Sequence, residues 1–145
     1  MPISSLFAYF AGTPFSHILY YLIDTPRLLA HIHRWPLAVM RLFRSFLNRR
    51  PFLVEFTNGY RLLIRSPGDG WSAHETFLDR HYQKASVPLE DDWVIIDIGA
   101  DIGSFSIYAA RESPHGAVYA YEPFGGSFDL LQQNLQLNGI DGSVP

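Results

Sequence analysis

The chain has no cysteine among its 145 residues. That absence removes disulfide frameworks, thiolate zinc sites and cysteine nucleophiles together, and it fits a reducing, cytoplasmic setting. Charge is sparse as well. Only 17% of residues are charged against 48% hydrophobic, which excludes global disorder and at this length allows one real core. The first 23 residues carry no formal charge at all. A secretory signal needs a basic start before its apolar run, and none is there. A spanning helix needs about 20 predominantly apolar residues, and this stretch is interrupted by Ser4, Ser5, Gly12, Thr13, Pro14, Ser16 and His17. Neither is expected. His31, His33, His81 and His115 lack metal-ligand spacing with acidic partners, so no metal site is expected. Ser104 and Ser106 sit in no nucleophile elbow, which argues against serine hydrolysis.

The charge that is present is unevenly divided. Residues 1–65 hold eight arginines against Asp24 and Glu55, a net of +6, and residues 66–145 hold Arg80, Lys84 and Arg111 against twelve acids, a net of −9. Two regions follow from this: a helical N-terminal region over 1–50 and a nucleotide-type domain over 51–145. Residues 15–34 read as helical pieces broken near Thr25-Pro26. Pro36 then suits the first turn of a helix that closes before Pro51. At about 100° per residue, Val39, Met40, Leu42, Phe43, Phe46 and Leu47 share one face, with Arg41, Arg44, Ser45 and Asn48 opposite. This basic amphipathic helix has three readings. It packs on the domain with its arginines in solvent, or it makes a peripheral membrane contact with anionic lipid through residues 36–50, or it meets a partner protein.

Phe52–Phe56 and Tyr60–Arg65 are β-rich runs flanking Thr57-Asn58-Gly59, a hairpin signal read as a type I′ turn. Ser66-Pro67-Gly68-Asp69-Gly70 reads as a loop before a helix near Trp71–Tyr82. His74 and Glu75 on that helix either line a ligand or lie on a solvated face. Then the pattern becomes regular: a strand at 93–97, a helix at about 103–112, a strand at Ala117–Tyr121 and a helix at about 127–138 stopped by Gly139. The fold class is α/β, a doubly wound βαβα unit with parallel strands, preceded by the hairpin and the N-terminal helices. Two parallel strands do not complete a sheet of this class, so the chain reads as a partial one.

The segment VIIDIGADIGSF carries the chemistry. Asp97 closes a strand, Gly99, Ala100, Asp101 and Gly103 form the turn into a helix, and Glu122 closes the next strand. Ligands of such sheets bind outside the carboxyl ends of the strands. Gly99 lets backbone approach a ligand, and Gly103 allows close helix–strand packing. A carboxylate at Glu122 can accept from both hydroxyls of a ribose. The dinucleotide pattern G-x-G-x-x-G is not met, and a pyrophosphate here would face both Asp97 and Asp101. A cationic, phosphate-free adenosine cofactor suits the loop better. Asp101 either contacts it or caps the helix.

This run, with Glu122-Pro123, Asn134 and Leu137-Asn138-Gly139, closely resembles the FkbM family of S-adenosylmethionine-dependent methyltransferases. The resemblance covers about residues 52–142; Asp101 stands where that family usually has Asn. It implies a Rossmann-like class I methyltransferase fold, here its N-terminal part, and S-adenosyl-L-methionine held by Asp97, Gly99, Ala100, Asp101, Gly103 and Glu122. It also implies O-methylation of a sugar, polysaccharide or secondary-metabolite hydroxyl, with no nucleic-acid partner. The motif identifies no catalytic base. The competing expectation is an inactive remnant or a membrane-associated binding module that keeps the same core.

Overall fold

The run from Phe52 to Ile64 folds back on itself in the computed structural model, which describes residues 24–48, 50–78 and 89–140. The uncharged start, the end of the helix expected to reach Tyr82, and the last five residues lie outside the described residues. Strand β1 (Phe52–Glu55) pairs antiparallel with β2 (Arg61–Ile64), Val54 opposite Leu62. The turn between them is not type I′. Gly59 has φ +86°, but Asn58 is not among the residues with positive φ. The Gly59 amide donates to the Phe56 carbonyl and the Phe56 amide to the Tyr60 carbonyl. This is the three-residue hairpin in which an ordinary turn is followed by one left-handed glycine. Gly59 supplies the left-handed position, and Asn58 contributes through its side chain, which donates to the Phe77 carbonyl at 3.3 Å.

Helix α1 (Trp35–Asn48) precedes the hairpin, after a helical stretch over 24–30 that contains Pro26. Pro26 falls in the first described turn of that stretch, and the helical piece expected before Thr25-Pro26 lies outside the described residues. Helix α2 (Pro67–Phe77) starts earlier than expected. Ser66 caps it by accepting from the Asp69 amide at 3.2 Å, and Pro67 fills the first helical position, where no amide partner is needed. The supposed loop is the helix's first turn. His74, one residue before Glu75, is buried and stacks on Trp71 at 5.2 Å, so it lies on no solvated face.

Strand β3 (Val94–Ile98), helix α3 (Ser104–Glu112), strand β4 (Ala117–Tyr121) and helix α4 (Gly125–Leu137) form the expected βαβα unit. The strands are parallel, with Asp97 beside Ala120. Gly139, φ +70°, follows the last helix as its left-handed stop. Leu130, Leu131, Asn134 and Leu135 form the buried stripe of α4. They meet Val54, Leu62, Ile64, Phe77, Ile102, Ile107 and Tyr108 in one core between the hairpin and the three C-terminal helices. Tyr60 stacks flat on Phe77 at 4.0 Å, with the Arg111 guanidinium over its other face at 4.2 Å. Among the described residues no helix is long and apolar enough to cross a membrane.

The hairpin is a separate sheet from the parallel pair. Two asparagines, Asn134 in α4 and Asn138 just past its end, join the units. Asn134 accepts from the Leu63 amide at 2.6 Å and donates to the Leu63 carbonyl at 3.1 Å. Asn138 does the same to Arg61, at 3.2 and 2.6 Å. Each carboxamide thus replaces a neighbouring strand residue on the outer edge of β2. The match is geometric: four residues of helix rise about 6 Å and two of strand about 6.8 Å.

Candidate cofactor-binding site

Three alternate positions with positive φ shape the loop after β3. Gly99, Asp101 and Gly103 have φ of +80°, +46° and +91°. A Cβ on Gly99 would meet nothing within 4 Å, so its surface is open to a ligand. A Cβ on Gly103 would lie 2.5 Å from Leu131 Cδ1. The close packing expected there is therefore helix to helix, against α4, and not helix to strand. Asp101 occupies the middle left-handed position because Asp and Asn tolerate that conformation better than other side chains.

Glu122 bridges the two loops at the carboxyl ends of the strands. One carboxylate oxygen accepts from the Asp101 amide and the other from the Phe124 amide, both at 2.8 Å. Each oxygen keeps a lone pair for one further donor, and the residue is only half-buried.

Asp101 does not cap α3. Gly103 is the cap residue, and no side chain bonds there. The Asp101 carboxylate instead accepts from Arg65 Nη2 and from Ser127 Oγ, each at 2.9 Å. Arg65 is held in turn by Asp69 at 3.2 Å. The free acidic loop expected from the sequence is therefore half neutralised by a cation arriving from the hairpin. Arg65, Asp69 and Ser127 escaped sequence reasoning because they lie 36, 32 and 26 positions from Asp101; only the Ser66-x-x-Asp69 capping spacing was visible in advance.

The case against a phosphate cofactor rests on different atoms. The Gly99 and Ala100 amides both donate to the Tyr121 carbonyl, at 2.9 and 3.1 Å, and the Gly103 amide donates to the Ala100 carbonyl at 2.8 Å. With Asp101 turned to Glu122, four loop amides are already engaged. A phosphate-cradling loop needs such amides free.

Asp97 lies beneath the loop, 9% exposed, and accepts from Ser106 Oγ at 2.5 Å. Burial pushes its carboxyl above the usual carboxylate range; the Ser106 bond pulls the other way, and the nearby Glu122 charge adds to the rise. Folding thus favours the protonated form. The group supports stability below its ordinary pKa and loses that support as pH rises through the raised value. Asp97→Asn, neutral and still able to accept from Ser106, is expected to be more stable than the natural chain at about pH 7 and to lose that advantage towards about pH 4. Denaturation midpoints at the two pH values check this; a pH-independent difference removes burial of the charge as its cause.

Among the described residues no group of three His, Cys, Asp or Glu can hold a metal ion. His115 pairs on the surface with Asp91 at 2.8 Å.

No family model matches the chain. It is 37% identical over 68 residues to Methyltransferase 1 of Beauveria bassiana, covering 47% of this chain and 26% of the relative. It is 37% identical over 70 residues to the 31-O-demethyl-FK506 methyltransferase FkbM of Streptomyces tacrolimicus, covering 48% of this chain and 27% of that protein. In this segment the chain is FkbM-like. It therefore spans about a quarter of the length of these relatives. The solved structure of M. jannaschii TYW2 in complex with AdoMet superposes with a TM-score of 0.51 at 23% identity, over 66% of this chain and 42% of that one. The fold is accordingly the Rossmann-like one of class I methyltransferases, represented by its βαβα portion.

Proposed function

We propose that the chain is the cofactor-binding part of an S-adenosylmethionine-dependent methyltransferase that acts on a hydroxyl of a small molecule or glycan. The Glu122 carboxylate carries this reading. Anchored at both oxygens yet half-exposed, it offers two acceptors at the spacing of a ribose diol, beside the open backbone of Gly99. The engaged loop amides favour an adenosine without a pyrophosphate. The residues present fit S-adenosylmethionine on these grounds. Glu122 would hold the ribose, Gly99 and Ala100 would pack on the cofactor, and Asp97 would lie behind the loop towards its ammonium end.

When bound, that cofactor supplies an electrophilic methyl group on a sulfonium. The chain's contribution is positional: Arg65 and Ser127 fix Asp101, Asp101 and Phe124 fix Glu122, and Asn134 fixes Ile102. The oxygen acceptor follows the FkbM relative, whose name specifies a 31-O position. Calorimetric titration of the chain with S-adenosylhomocysteine, and in parallel with NAD, tests the assignment. Saturable binding of the first alone is expected. No binding of S-adenosylhomocysteine, or equal binding of NAD, overturns it.

A further inference from the structure

Helix α1 turns part of its apolar arc outward; Val39 borders an apolar crevice with Leu28, Ile32 and Trp71, and the side chains of Leu42, Phe46 and Leu47 lie outside the described residues. Leu37 and Ala38 turn to the hairpin, where they line a crevice with Leu53 and Val54. Trp35, Val39, Met40 and Phe43 are exposed, Phe43 at 67% and Met40 at 56%. At about 100° per residue these four fall within an arc of about 140°. A helix that merely packs on a domain does the reverse and buries this arc. Arg34, Arg41 and Arg44 are exposed; Arg44 is next around the wheel from Met40, while Arg34 and Arg41 flank the crevice beside Leu37 and Ala38.

We propose that α1 is a membrane-interface helix: Trp35, Met40 and Phe43 enter the headgroup boundary of an anionic bilayer while Arg44, next to them on the wheel, meets lipid phosphates and Arg34 and Arg41 add positive charge from the flank. Exposed Trp and Phe side chains with an arginine at their border and further basic charge on the same helix form a layout that partitions into such a boundary. Charge complementarity selects the surface. Residues 25–54, which hold α1, carry six arginines and no acidic residue, so an anionic bilayer attracts this segment. A second copy of the chain fits less well, because two-fold pairing of α1 with itself brings the arginines of both copies together.

The full chain is sedimented with vesicles of phosphatidylcholine alone and with about one-third phosphatidylserine, at low and high salt. Binding is expected to the anionic vesicles and to weaken with salt. Phe43→Ser combined with Met40→Ser is expected to lower partitioning about tenfold, and Arg41→Glu with Arg44→Glu to abolish the preference for phosphatidylserine. These positions are exposed, and unchanged thermal melts verify that the variants fold. Equal partitioning of the natural chain and the double serine variant overturns the proposal. So does failure of the natural chain to bind anionic vesicles, or a lipid-free dimer that the serine variant dissociates, which assigns the arc to a second copy. None of these readouts depends on cofactor binding.

Discussion

Glu122→Ala is expected to weaken S-adenosylhomocysteine binding by about a hundredfold or more, with a far smaller effect on the melting temperature. The carboxylate has two duties. Its oxygens anchor the Asp101 and Phe124 amides at 2.8 Å, and under the proposed function their remaining lone pairs accept from a ribose diol. A hydrogen bond to a charged group contributes about 1.5–3 kcal/mol, so losing two ribose contacts removes at least about 3 kcal/mol. At 1.4 kcal/mol for each factor of ten, that is about two orders of magnitude. Glu122→Gln separates the duties. It keeps one acceptor oxygen and places an amide donor at the other, so binding is expected to fall between the two. Calorimetry supplies the affinities and thermal unfolding the stability. Natural-strength binding by Glu122→Ala sinks the ribose assignment, whatever the rest of the loop does.

Asn134→Ala is expected to have the largest effect on stability. The side chain is 0% exposed and makes three bonds: from the Leu63 amide, to the Leu63 carbonyl, and to the Ile102 carbonyl at 2.9 Å. Alanine leaves one amide and two carbonyls buried without partners. Each such group costs about 1–3 kcal/mol, so a loss of at least about 3 kcal/mol follows. A domain's whole stability is only about 5–15 kcal/mol. Because Ile102 belongs to the cofactor loop, binding is expected to fall along with stability, unlike in Glu122→Ala. Asn138→Ala removes a similar pair of bonds to Arg61, together with those to the Asn134 carbonyl and from Arg111, from a less buried position where water can replace them. Its cost is expected to be under about 1.5 kcal/mol. Denaturant midpoints rank the two; equal losses contradict the burial argument.

These asparagines also show what a motif can mean physically. In the sequence Asn134 and Asn138 stand out only as matched positions in a family pattern. In the fold their spacing of four converts one helix face into a surrogate strand along β2. Without that docking, the outward-facing polar groups of Leu63 and Arg61 would be bare strand edge.

The parallel pair, its crossover helix and the Gly139 stop were legible because each rests on local rules: apolar five-residue runs, helical periodicity and a left-handed terminator. Errors arose where one residue served two geometries. Asn58-Gly59 fits a type I′ turn and a three-residue hairpin equally well, and only backbone angles separate them. Ser66-Pro67-Gly68-Asp69-Gly70 reads as a loop by composition, yet its Ser, Pro and Asp spacing is a helix start. The charge argument at Asp101 failed for a different reason. The compensating cation, Arg65, comes from another element.

By itself, then, the sequence determined the order of the elements, the glycine-bearing loop after β3 and the acidic residue closing β4, since these depend on neighbours along the chain. Only the tertiary structure decided that Asp101 is paired with Arg65, that the loop amides are already engaged, and that α1 leaves Trp35, Met40 and Phe43 exposed. Electrostatics and hydrogen bonding act over a few ångströms of space, and the partners that set them lie tens of residues apart in sequence.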